Sequence, residues 1–106
     1  MNAELGIYCC FNCGNHICFH NDIFDKNYVS GRRRAFLLSH AKNIVMGSKE
    51  NKQLISGTYL IADASCSECG EKLGWKYFEA NQEEHKHKEG KFVIVYFKII
   101  KLCSWC

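Results

Sequence analysis

Cys10-Phe11-Asn12-Cys13-Gly14 and Cys66-Ser67-Glu68-Cys69-Gly70 are two copies of one short pattern, and their reading decides the fold. Two thiolates three positions apart can both face a single ion about 2.3 Å away when the chain between them turns tightly. The glycine directly behind each second cysteine suits the φ > 0 that such a knuckle often needs. A third pair, Cys103 and Cys106, has the spacing but no following glycine, and it ends the sequence, where fraying disfavours a preorganised site. Three pairs allow three pairings. The shared glycine favours Cys10 and Cys13 with Cys66 and Cys69 as the four ligands of one structural zinc ion, Zn2+. The spare Cys9 and Cys18 read as small apolar strand residues.

A local rival is the set Cys10, Cys13, His16 and His20, in which the two histidines would share a face if the segment were helical. Only Gly14 and Asn15 separate Cys13 from His16, whereas a zinc finger spends about a dozen residues on its hairpin and helix. His40, His85 and His87 are placed on solvated surface, and His85-Lys86-His87-Lys88 reads as a solvated charged run. The 52 residues between Cys13 and Cys66 far exceed the ~15–20 closed by a simple zinc ribbon. The ion would therefore join distant halves of the chain.

The 106 residues suit one domain spanning 1–106, with no stretch that reads as a linker and a core of modest size. An apolar fraction of 47% with 24% charged residues is the balance of a folded protein and not of a disordered one. The net charge of +3 is too small to argue for nucleic acid or a membrane surface. The longest apolar run, Phe92 to Phe97, falls well short of the ~20 residues needed to span a bilayer, so no membrane partner is expected. Met1 to Gly6 lacks the basic and apolar regions of a signal peptide. An intracellular place, nucleus and/or cytoplasm, is expected, with reduced thiols and no disulfide-linked partner.

Leu5–Phe11 reads as a strand entering the first knuckle, and Ala35–Leu38 as a short apolar strand. Gly47–Lys52 reads as a polar turn. Thr58–Ile61 leads into the second knuckle and Leu73–Phe78 leads away from it. Glu79–Lys88 is expected as a loop or one helical turn. Lys91–Lys101, rich in β-branched and aromatic residues, reads as one strand. Short strands with little helix give an all-β, or β-dominated, domain.

These features together resemble the Yippee-like family, in its plant-type form. The resemblance runs over about residues 8 to 94: both knuckles at their spacing, Ala35-Phe36-Leu37, Asn43, Gly57, Leu73-Gly74-Trp75-Lys76-Tyr77 and Lys88-Glu89-Gly90-Lys91-Phe92. Ser39–Val45 with Gly47 is similar to the plant members. Arg33 replaces a family glycine, Tyr59 a histidine and Val95 a glutamate, and residues 95–106 form a divergent, more apolar tail. The resemblance implies a β-tent-like fold, two antiparallel sheets pinned by the four-cysteine zinc, similar to the ligand-binding domain of cereblon and more distantly to B-type methionine sulfoxide reductase. It further implies a ligand pocket at Trp75 and Tyr77, where cereblon-like domains hold a cyclic imide in an aromatic cage. The other two cage tryptophans fall at Ile55 and Ile61, so the alternative is that Trp75 and Tyr77 are core packing.

Three functions follow for test. Four thiolates saturate zinc and leave no position for water, which favours a non-catalytic adaptor or binding module whose partner is another protein. A nucleic-acid-binding zinc domain would use Arg32, Arg33 and Arg34 on phosphates and Trp75 on a base. Adjacent arginines on a strand point to opposite faces, however, so nucleic acid is the weaker partner. A methionine sulfoxide reductase-like thiol enzyme would need an exposed low-pKa thiol among Cys9, Cys18, Cys103 and Cys106.

Overall fold

Strand pairing in the computed structural model, which describes residues 6–102, divides the chain between two antiparallel sheets. The smaller sheet has the order β10-β1-β2, built from β1 (Ile7–Cys10), β2 (His16–Phe19) and β10 (Ile99–Leu102). The larger sheet contains β3 (Ile23–Ser30), β4 (Arg33–Leu38), β5 (Ile44–Met46), β6 (Glu50–Leu54), β7 (Gly57–Cys66), β8 (Lys72–Ala80) and β9 (Phe92–Val95). Its order is β3-β4-β9-β8-β7-β5, and β6 pairs with the first half of the edge of β7 whose second half β5 occupies. Among the described residues no helix is long and apolar enough to cross a membrane.

The chain changes sheet twice, each time through a 3-10 turn. His20–Asp22 carries β2 into β3, closed by the Phe19 N–H donating to Asp22 Oδ2 at 2.8 Å. Tyr96–Lys98 carries β9 into β10, with the Arg34 guanidinium 4.4 Å from the Tyr96 ring centroid. The expected single strand over Lys91–Lys101 is thus two strands in different sheets. The expected turn over Gly47–Lys52 is shorter, because Glu50–Lys52 already pair with β7. Glu79 and Ala80 complete β8, and Glu83–Lys88 forms a short 3-10 helix. β2 and β3 were not anticipated from the sequence.

Two apolar clusters use opposite faces of the larger sheet. Phe36, Leu38 and Ile94 join Tyr8, Ile17, Cys18 and Ile99 of the smaller sheet to fill the space between the sheets, and Cys10, Cys66 and Leu73 extend this cluster to the knuckles. Ala35, Leu37 and Val93 face the other way, onto Tyr59, Ile61 and Tyr77. A strand apolar on both faces is buried on both, which is why Ala35–Leu38 is a continuous run rather than an alternation. Tyr28 of β3 reaches across this second cluster, its hydroxyl 2.9 Å from that of Tyr77.

Arg33 begins β4, and the left-handed residue of the turn before it is Gly31 at φ 62°, so the turn requires no positive φ of Arg33. Val95 is buried opposite Ala35. The Cys103 and Cys106 pair lies outside the described residues.

Candidate metal centre

The two knuckles have the same backbone design. Cys10 N–H donates to Asn15 O at 2.7 Å and Gly14 N–H to Cys10 O at 2.8 Å. Cys66 N–H donates to Glu71 O and Gly70 N–H to Cys66 O, both at 2.9 Å. Gly14 and Gly70 take φ of 84° and 79°, the left-handed region that a side chain would strain. β1 ends in the first knuckle and β7 in the second, and in each the first cysteine is buried and the second exposed.

Packing of the two sheets brings the knuckles face to face. Cys10 Sγ lies 3.7 Å from Cys69 Sγ, Cys13 Sγ lies 3.5 Å from Cys66 Sγ, and all four sulfurs fall within 4.8 Å of one another. A tetrahedral ion with Zn–S of about 2.3 Å sets its sulfurs roughly 3.8 Å apart, so the donor set fits zinc in number, type and spacing. The separations are too long for disulfides, whose sulfurs stand about 2.05 Å apart.

The surroundings favour negative charge at the second knuckle. Burial pushes the Cys66 thiol up, but N–H groups of Cys69 and Glu68 and the Asn15 amide outweigh it and bring Cys66 down to about 6. Cys69 is also lowered, chiefly by the Asn12 side chain and the Glu71 N–H. Burial raises Cys10 despite N–H donors from Cys13 and Asn12. Cys13 receives the Asn15 N–H, yet burial and the three neighbouring sulfurs push it up to about 12. Four adjacent thiols cannot all ionise alone; a divalent cation among them would release the remaining protons.

Sequence reasoning missed the residues that lock the knuckles together. Asn15 Nδ2 donates to Cys66 Sγ at 3.5 Å and to Ser67 Oγ at 3.3 Å. Asn43, at φ 60°, donates its amide to His16 O at 2.6 Å and accepts the Ser67 N–H at 2.9 Å. Lys98 pairs with Glu71, tying the 3-10 turn between β9 and β10 to the second knuckle. Only the odd place of Asn43, in a polar stretch between strands, hinted at a left-handed residue.

The rival ligands do not converge. His16 is exposed on β2, and His20 opens a 3-10 turn with Nδ1 buried and unpartnered. Cys9 and Cys18 are buried free thiols. Trp75 is half-buried with its ring edge-on to Tyr77, centroids 6.3 Å apart. The two line different cavities: Trp75 one with Arg33, Lys72 and Lys98, and Tyr77 one with Tyr28, Ile55 and Lys88. Ile61 is buried in the core. Lys88, placed in a solvated run by sequence reading, is in fact buried, because the 3-10 helix folds its end back under β8.

Comparison with known proteins agrees with this geometry. The family described as "Yippee zinc-binding/DNA-binding/Mis18, centromere assembly" matches residues 6–104. One yippee-like protein of Arabidopsis thaliana is 48% identical over 95 residues, covering 90% of each chain. A second is 44% identical over 100 residues, covering 94% of this chain and 95% of that one. The crystal structure of a Mis18 Yippee-like domain superposes with a TM-score of 0.73 over 92% of this chain and 94% of that one, at 16% identity, a likeness of fold.

Proposed function

The chain belongs to the Yippee-Mis18 family, and from that premise we propose that it is a non-catalytic binding module, pinned by one structural zinc on Cys10, Cys13, Cys66 and Cys69, that serves as an adaptor for another protein. The convergence of four sulfurs from two distant knuckles carries the reading. Four thiolates complete the coordination of zinc, so the ion would stabilise and would not activate water. Among the described residues the two spare thiols do not suit a redox role: burial raises Cys9, and burial with Asp22 and Cys9 nearby pushes Cys18 up to about 12, the opposite of an exposed, activated nucleophile. A set of reduced thiols suits the nucleus or cytoplasm.

An exposed ligand supplies the test. Cys69 is open to solvent and its thiol is lowered, so without a metal it should alkylate readily. Bound zinc should protect it until a chelator is added. Elemental analysis should find one zinc per chain, and mass spectrometry should find Cys69 unmodified by iodoacetamide before chelation. Full alkylation of Cys69 in the purified native protein would overturn the metal assignment. The adaptor role is tested by capture from cell extract on wild type and on Trp75→Ala; a partner held by wild type and lost by the folded variant is expected, and none held by either would sink it.

A nucleic-acid-binding reading has one observation in its favour. Arg33, Lys72 and Lys98 surround the half-buried Trp75, a basic rim around a stacking surface. Lys72 is held 3.2 Å from Asp63 and Lys98 is paired with Glu71, which neutralises two of the three charges. Arg34 turns to Tyr96 instead. A salt-sensitive gel shift lost in Arg33→Ala would move the balance to nucleic acid.

A further inference from the structure

Lys88 ends the 3-10 helix Glu83–Lys88 and is the buried charged side chain of the described residues, 8% exposed. A buried ammonium is costly unless it is paired, and folded proteins seldom leave one alone. Yet the ion pairs among the described residues are His40–Asp22, Lys72–Asp63, Lys86–Glu89 and Lys98–Glu71, and none includes Lys88. The neighbouring Glu89 carboxylate is directed elsewhere, accepting from the Ala80 N–H and from Lys86.

Its surroundings are aromatic and hydroxylic. Lys88 Nζ donates to Tyr59 Oη at 3.1 Å. The ring centroids of Tyr28, Tyr59 and Tyr77 lie 5.5, 5.3 and 5.8 Å away, within cation–π range. Tyr59 Oη is in turn 2.5 Å from Ser56 Oγ. An ammonium carries three N–H donors, and the other two find no acceptor among the described residues. The Tyr59 hydroxyl thus bridges Lys88 to the turn between β6 and β7.

Lys88 also lines a cavity of about 240 Å³ that opens between the β3–β4 turn at Gly31 and the β6–β7 turn at Ile55–Ser56. At about 30 Å³ for a water-sized group, that space takes roughly eight such groups. We propose that this cavity binds a carboxylate. Its oxygens would accept the two spare N–H groups of Lys88 and the Ser56 hydroxyl, and its carbon body would lie against Tyr28, Leu54 and Ile55. One cation facing the cavity matches one negative charge. A phosphate dianion would leave excess charge against the apolar walls, where uncompensated charge is penalised. The proposal deepens the binding-module reading and rests on it, but its test leaves the thiolates untouched.

The test is a backbone-amide NMR titration of the metal-loaded protein with benzoate, benzamide and inorganic phosphate, together with one short acetylated peptide prepared as the free acid and as the amide. Saturable shifts at residues 28–31, 54–56 and 88 are expected with benzoate or with the peptide acid. Whichever of these two binds tighter identifies a free acid or a chain terminus as the source. Benzamide and the peptide amide should bind at least about tenfold more weakly, as loss of a charge-assisted hydrogen bond requires. Lys88→Met should lose about tenfold or more in affinity, and Ser56→Ala, which removes from an exposed turn the hydroxyl that also meets Tyr59 Oη, about threefold. Should Lys88→Met not fold, the wild-type map and Ser56→Ala decide. No saturable shift with any acid, equal binding of acid and amide, or tighter binding of phosphate overturns the assignment. An acid that fails while the zinc count stays at one per chain removes the carboxylate site and leaves the metal-pinned module standing.

Discussion

Replacing Cys66 by serine isolates the contribution of the proposed ion. Serine is nearly isosteric and leaves the buried position filled, but it removes one of four sulfurs that stand within 4.8 Å of one another. With four thiolates the ion ties together knuckles separated by 52 residues. Closing a loop of that length removes roughly 4 kcal/mol of chain entropy from the unfolded state. Domains of about this size are stable by ~5–15 kcal/mol, so the tie is a large share of the whole. At roughly 4–8 °C per kcal/mol, the melting temperature should fall by at least roughly 15 °C. The metal–thiolate free energy, itself worth more than the loop term in zinc-finger peptides, can only enlarge the drop. The assay is a thermal melt by far-ultraviolet circular dichroism beside elemental analysis, on wild type and variant, each with and without chelator. Chelation should lower wild type to the level of the variant and change the variant little. A wild type that melts at the same temperature after its metal has been stripped would refute the reasoning.

Three further outcomes are expected. Gly74 pairs with Ile94, and a Cβ there would sit 1.7 Å from the Val93 carbonyl oxygen and 2.8 Å from its carbon, so Gly74→Ala must push β8 and β9 apart. A urea melt should show a loss of about 3 kcal/mol, and an unchanged midpoint would contradict the close approach. Asn43→Gly should cost about 1 kcal/mol by losing the bond to His16 O, and Asn43→Ala about 2 kcal/mol because alanine also resists φ 60°; denaturant midpoints in the reverse order would refute this. Burial, with Asp22 and Cys9 nearby, raises Cys18 from 9.0 to about 12. Its folded pKa therefore lies above the unfolded one, and its contribution is complete below about pH 9 and lost as pH climbs from there toward 12. Melting temperatures measured from pH 8 to 11 should fall for wild type and fall less for Cys18→Ala; parallel curves would exclude this thiol as the cause.

Local chemistry made the knuckles legible. A pair of cysteines three apart with a glycine behind needs nothing from the rest of the chain to be recognised, and Gly14 and Gly70 adopt the positive φ that the pattern demands. Ala35–Leu38 was legible because a run apolar on both faces can only be buried on both. β6 was not. Glu50, Asn51, Lys52 and Gln53 are all exposed, and their strand rests on backbone hydrogen bonds to β7 that place no demand on the side chains. β3 was hidden similarly, by polar residues along an edge of the larger sheet.

What the amino-acid order settled by itself was the chemistry that short spacing and single-residue conformational preference control: two thiol knuckles, a β-rich chain and its likeness to a known family. The tertiary structure decided what depends on which distant segments meet. The apolar run from Phe92 onward gives no sign that Val95 and Ile99 belong to different sheets, because alternation records burial and not the identity of the neighbouring strand. Nor does a run of His and Lys disclose that Lys88 alone turns inward to three tyrosines from three separate strands. Burial of a charge is a property of the assembled surroundings, and those exist only once the sheet has brought Tyr28, Tyr59 and Tyr77 together.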